Sequence, residues 1–287
     1  TGWAGSLVPA SDSYSFAINQ DGVLVINDDA VAQNFSNYDP VTGETTEATV
    51  FENFSHDGPI WCATTLPVTL RNFSVIGSTV SPTDGPDYGI ICNAPLDGFS
   101  PNRFFGGVTI ENAEIKNFAK AGIIGYDFNL RYCELHSMGQ DGIVVDAKTP
   151  LNSIGTTIEA NWIHHLGYNT EIFNALEVRK GTGIDIKGNF FDIPHHQAME
   201  VLGEHAGPGN PWGDGVALQI GLGGNVPQGG IKDVLIEDNW INAGIRFLNV
   251  VGREPDDGNS DNIPKNVVFR NNRILRGYQV DTPLGAS

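Results

Sequence analysis

Three kinds of side chain recur in this sequence at a spacing that could do chemistry together. Glu114-Ile-Lys116, Glu134-Leu-His136, Trp162-Ile-His164, Phe190-Phe-Asp192 and Trp240-Ile-Asn242 share one shape: an apolar residue flanked by two polar or aromatic ones. On a strand, residues two apart face the same way, so each segment presents its outer pair on one side. If the segments stack in register, about 4.8 Å apart, Glu114 and Glu134 stand roughly 5 Å from each other. That is about the carboxylate separation of a retaining glycosidase, and such proximity pushes one carboxyl pKa up. Glu134 and Asp192 would be roughly 10 Å apart, just beyond the inverting range. His136 and His164 could act as base or acid near neutral pH. Lys116 could neutralise a uronate carboxylate. Trp162, Phe190 and Trp240 would form an outward aromatic stripe able to stack sugar rings, unless a loop such as 194–214 or another chain covers it.

The elements that must position these residues are repeats. The segments 68–75, 108–115, 128–135, 156–163, 184–191, 234–241 and 267–274 follow one pattern of inward apolar positions around a corner, spaced about 20 to 50 residues apart. A fourth core position carries Asn161, Asn189, Asn239 and Asn272. Asn tolerates left-handed backbone, so these residues are expected to make the corner and to stack their amides into a ladder. The residue before the corner alternates in sign along the chain: Arg71, Glu111, Arg131, Glu159, Lys187, Glu237, Arg270. Stacked in-register strands would repel if those charges were alike, so the alternation supports the alignment. A third strand is expected after each copy, at 60–62, 90–92, 123–124, 143–145, 176–178, 216–218 and 245–247. A Gly precedes most of these, namely Gly89, Gly122, Gly142, Gly215 and Gly244.

The bulk numbers suit this picture. The chain has 287 residues, 35 of them Gly, and only 17% are charged, as in a turn-rich β protein. A net charge of −18 argues against nucleic acid or an anionic membrane as partner. No apolar run reaches membrane-spanning length. The sequence opens at Thr1 without Met, so processing or trimming is expected. Three Cys make no disulfide framework; Cys62 and Cys92 fall at the same inward position of adjacent repeats and are expected as buried thiols, although a bond between them stays open.

Residues 1–47 do not fit the repeat. Segments 15–18 and 23–26 flank Asn19-Gln-Asp-Gly22 and read as a hairpin or edge strand, part of a cap over the open end. Residues 50–58 read as a degenerate repeat with Asn53 at its corner. Asn34, Asn53 and Asn72 each begin an Asn-Phe-Ser acceptor pattern, which inside a strand repeat is attributed to chance. The inserts 78–88, 93–106, 194–214, 221–233 and 250–266 read as loops, with a short lid helix at 197–203. The neighbouring His195, His196, Glu200, Glu204 and His205 match no strong metal spacing. The acidic stretch 254–261 could hold calcium, but without EF-hand spacing. His164-His165, being adjacent on a strand, are expected on opposite faces.

The repeats Ile158-Glu-Ala-Asn-Trp-Ile163, Ile186-Lys-Gly-Asn-Phe-Phe191, Ile236-Glu-Asp-Asn-Trp-Ile241 and Phe269-Arg-Asn-Asn-Arg-Ile274 resemble the right-handed parallel β-helix, or pectin-lyase-like, superfamily. The resemblance implies an all-β fold: a three-sheet solenoid of about seven or more coils over 48–276, with an N-terminal cap at 1–47 and a tail at 277–287. It also implies an extracellular protein, secreted, on a cell surface or on a virion, that binds and cleaves a polysaccharide as a lyase or glycoside hydrolase. The catalytic candidates are then Glu114, Glu134, His136, His164, Asp192 and Lys116, and the substrate-binding ones Trp162, Phe190 and Trp240. No cofactor is expected, with calcium at the acidic stretch left as the one option. Polygalacturonase and alginate-epimerase signatures are absent, so these roles come from strand geometry and not from a family motif. The alternative is a non-catalytic structural or adhesive module, a homotrimer or fibre of the phage-tail kind with the stripe buried between chains.

Overall fold

A computed structural model describes residues 7–34, 49–78, 85–93, 107–147, 155–168, 172–193, 214–221, 230–243, 246–250 and 263–276. The protein is all-β. Its strands form one large sheet that does not close into a barrel, and among the described residues every pairing between strands is parallel. Parallel strands need long crossovers, which is why partners lie a full repeat apart in sequence. This is the architecture expected when repeats stack on one another, and it is consistent with a β-solenoid.

One path of pairing runs through the strands Thr49–Asp57, Val68–Ile76 and Val108–Lys116. It continues through Phe128–Arg131 and Glu134–His136, through Thr156–Glu159 and Trp162–His164, and on to Lys265–Arg270 and Arg273–Arg276. A second path joins Leu24–Asn27, Ile60–Ala63, Tyr88–Cys92, Ala121–Gly125, Asp141–Asp146, the first half of Ile172–Lys187, Asp214–Ile220 and Arg246–Val250. Residues 49–57 are therefore a full member of the stack. Alternating burial follows from the period of two: Ile158 and Ile163 are fully buried while Glu159 is exposed.

The corners differ from expectation in a revealing way. One residue per repeat bends the strand through left-handed backbone: Asn53, Asn72, Asn112, Tyr132, Ala160, Gly188, Asp238 and Asn271, with φ between 52° and 61°. The ladder asparagines Asn161, Asn189 and Asn239 are the next residue along. They point inward, buried, and do not carry the left-handed turn. Their amides do stack: Asn161 Nδ2 donates to Asn189 Oδ1 at 2.9 Å, Asn189 Nδ2 to Asn239 Oδ1 at 3.0 Å, and Asn239 Nδ2 to Asn272 Oδ1 at 2.9 Å. In the first repeats the same inward position holds Phe54, Phe73, Ala113 and Cys133, all buried.

On the second path the Gly column has a steric cause. A Cβ on Gly89 would lie 2.5 Å from the Gly122 carbonyl oxygen, and one on Gly142 2.5 Å from that of Ala175. The final strand of this path is shifted from the expected 245–247. Leu176 pairs with Leu218, and Leu218 with Leu248, so Leu248 takes the inward place while Phe247 is exposed. Cys62 and Cys92 are register partners and, like Cys133, are free buried thiols. Burial pushes the Cys62 and Cys133 thiols up to about 12. At the start of the chain, residues 15–17 are a 3-10 helix and not a strand, with a single antiparallel bridge from Ile18 to Leu24. Leu24–Asn27 is an edge strand of the second path.

Among the described residues no helix is long and apolar enough to cross a membrane. The expected lid helix 197–203, residues 195, 196, 200, 204 and 205, the acidic stretch 254–261 and the tail 277–287 lie outside the described residues.

Candidate functional site

Three outward columns fall in the expected register. Glu52, Arg71, Glu111, Arg131, Glu159, Lys187, Glu237 and Arg270 are successive partners. Ion pairs run along them, Arg131 to Glu111 at 2.6 Å and Arg270 to Glu237 at 2.6 Å. These exposed pairs set register more than they add stability.

Beyond the corner, Ser74, Glu114, Glu134, Trp162, Phe190, Trp240 and Arg273 form the second column. Ile76, Lys116, His136, His164, Asp192, Asn242 and Leu275 form the third. All nine candidate residues therefore lie on one face; at three levels a second left-handed residue, Asn117, Ser137 or His165, ends the strand that carries them. Trp162 is 38% exposed and Trp240 46%, so the aromatic stripe is open to solvent; the Arg273 guanidinium lies 4.9 Å from the centre of the Trp240 ring.

The chemistry within the face is organised as two diagonal carboxylate–imidazole pairs. Glu114 Oε1 meets His136 Nε2 of the next level at 3.3 Å, and Glu134 Oε1 meets His164 Nε2 of the level after that at 3.0 Å. The His136 and His164 rings stack, 5.0 Å apart and 7° from parallel, and Trp162 stacks on His164 at 4.0 Å. Glu114 also accepts from Lys116 Nζ at 2.8 Å and Ser74 Oγ at 3.0 Å. Asp192 accepts from Asn242 Nδ2 at 2.8 Å.

These contacts overturn two expectations. Proximity of Glu114 and Glu134 does not raise the Glu114 pKa. The His136 bond, joined by Lys116 and Ser74, outweighs burial and holds Glu114 down to about 2. His164 and His165 are not on opposite faces. His165 sits at a left-handed corner with φ 52°, which breaks the strand alternation and brings its Nδ1 into short contact with His164 Nδ1. His164 is 6% exposed, and burial lowers its pKa against the pull of Glu134. The tautomer that satisfies every contact has His164 Nε2–H donating to Glu134 and His164 Nδ1 accepting from His165. Both ring nitrogens of His164 are thus engaged. His136 is more open; its Nδ1 lies 3.0 Å from Ser137 Oγ.

Ser74, Ser137 and His165 are not among the site candidates drawn from the sequence. Ser74 stands in the second column and could have been; the corner geometry that recruits His165 leaves no sequence signal. A buried carboxylate on the other strand path was missed as well. Burial, with the nearby Glu177 charge, pushes Asp141 up to about 7, against two bonds from Asn174. Among the described residues no group of three or more His, Cys, Asp or Glu side chains could hold a metal ion.

No protein-family model matches this sequence, and neither a curated protein nor a solved structure does.

Proposed function

We propose that this chain is a right-handed parallel β-helix of the pectin-lyase-like kind, capped at its N-terminal end, that binds and cleaves a polysaccharide outside the cell. The observation that carries the reading is the open column Trp162, Phe190, Trp240 in register with Glu134, one level from Trp162, and beside His136. Aromatic faces about 4.8 Å apart offer stacking to successive sugar rings, and the carboxylate–imidazole pairs lie where a bound chain would continue.

The contacts sort the roles. In a hydrolase, Glu114 is held ionised and suits a nucleophile or stabilising carboxylate, so the proton donor is Glu134. In a lyase, the base that removes the proton α to a uronate carboxylate is His136, the more exposed of the two rings, since His164 is buried. Lys116 is already bound to Glu114, so a uronate must share it. Glu134, His164 and His165 then act as a positioning chain behind His136.

The test is turnover on a panel of neutral and acidic polysaccharides, following new reducing ends and the absorbance of unsaturated products. The variant Glu134→Gln with His136→Ala is expected to lose cleavage with Tm nearly unchanged; retained turnover removes both residues from the mechanism. A second reading, a non-catalytic fibre or trimer, is favoured by the same solvent-exposed tryptophans, which another chain could cover. No turnover on any substrate, together with an obligate trimer by mass, selects it.

A further inference from the structure

The two ends of the stack are unlike in covering and in charge. At the first end, the helix Ala10–Ser13, the 3-10 helix Ser15–Ala17 and the helix Asp28–Gln33 lie over the core. Tyr14 packs on Phe51 and Phe54 with ring centres 5.0 and 5.4 Å away, and Ala10, Ala30 and Val31 are buried. Within these capping residues Asp12, Asp21 and Asp29 are all exposed, and Phe16 is 42% exposed. No Lys or Arg occurs in the sequence before Arg71.

At the other end, among the described residues, nothing lies over the core. Inward residues that are fully buried one level earlier become exposed: Ile241 at 0% is followed by Ile274 at 47%, and Ile220 at 0% by Val250 at 48%. Among the described residues no strand pairs with the outer edge of Lys265–Arg270 or Arg273–Arg276. Residues 263–276 carry Lys265, Arg270, Arg273 and Arg276 and no acidic residue, in a protein of net charge −18.

We infer that copies of this chain associate end to end, the basic, open end of one seated on the acidic, sealed end of the next. Complementary charge selects this occupant. Two open ends face to face would set Arg270 and Arg273 against themselves, whereas head-to-tail contact sets them against Asp12 and Asp29. Head-to-tail contact is heterologous, so it grows into a row of copies rather than closing as a dimer. Such a row leaves the aromatic stripe free on its side, which separates it from a side-by-side fibre, and it does not depend on polysaccharide cleavage.

The experiment is sedimentation of the 287-residue chain over a range of concentrations in about 0.15 M salt, where repulsion between whole molecules is screened beyond roughly 8 Å. Mass is expected to rise with concentration. The variants Asp12→Lys with Asp29→Lys, and Lys265→Glu with Arg273→Glu and Arg276→Glu, are each expected to stay monomeric alone, because the charges named at both ends then sum to one sign. An equimolar mixture restores complementary ends and is expected to associate like the wild type. Circular dichroism equal to wild type confirms that each variant is folded. A wild-type chain that stays monomeric at every concentration overturns the inference, as do variants that associate alone, or a mixture that does not.

Discussion

The early and late repeats solve the same corner differently. In both, a single left-handed residue bends the strand. The early repeats place Asn there, as Asn53, Asn72 and Asn112, and fill the inward position beside it with Phe54, Phe73 and Ala113. The late repeats place Ala160, Gly188 and Asp238 at the bend and turn Asn161, Asn189 and Asn239 inward. The outer amides of the early repeats touch only loosely, Asn72 to Asn53 at 3.3 Å and Asn112 to Asn72 at 3.4 Å. The inner amides are buried and bonded on every side. The outward face changes at the same level, from Ser74, Glu114 and Glu134 to Trp162, Phe190 and Trp240. The carboxylate–imidazole pairs sit at that boundary. Asparagine therefore has two separable uses here: conformational tolerance outside, and hydrogen-bond continuity inside, where a missing partner is costly.

Breaking the inner ladder should have the largest effect. Asn189→Ala removes donors and acceptors from both neighbours and strands the buried amides of Asn161 and Asn239; a loss of about 3–5 kcal/mol in urea unfolding is expected. A loss under about 1 kcal/mol would mean the ladder is dispensable.

The early side of the boundary can be probed by pH. Glu114 has its folded pKa depressed, from 4.5 to about 2, so its stabilisation is fully present above 4.5 and is lost as pH falls towards 2. Its partial exposure reduces the effect to on the order of 1 kcal/mol. Wild type should therefore lose its advantage over Glu114→Gln as pH falls from 4.5 towards 2, and equal slopes in the two proteins would contradict the network. The smallest effect belongs to the outer amides. Asn72→Gly keeps the left-handed bend and deletes the side chain, and should change stability by no more than about 0.5 kcal/mol.

Period-two patterning and charge alternation made the stacking register legible from sequence, because both are carried by residue types at fixed offsets. The three outward columns follow from that register alone. What sequence could not show was the one-residue offset between the two asparagine uses, since Asn112 and Asn161 look alike until backbone angles separate them. Nor could it show that Lys116 is spent on Glu114, or that a corner turns His165 back onto His164. Those depend on side-chain reach across levels and not on spacing. The displaced last strand, with Leu248 in place of a residue at 245–247, was missed because Ile245 with Phe247 and Leu248 with Val250 offer two alternating registers one residue apart.

The stripe beside the carboxylate–imidazole pairs is the heart of the proposal, and binding tests it most directly. Calorimetric titration of the polysaccharide panel into wild type and into Trp162→Ala with Trp240→Ala should give saturable binding to at least one glycan. The variant should weaken it by about 100-fold, roughly 2.7 kcal/mol, with Tm unchanged because both tryptophans are solvent-exposed. Equal affinity in the two proteins, or no glycan bound by the wild type, would contradict the account.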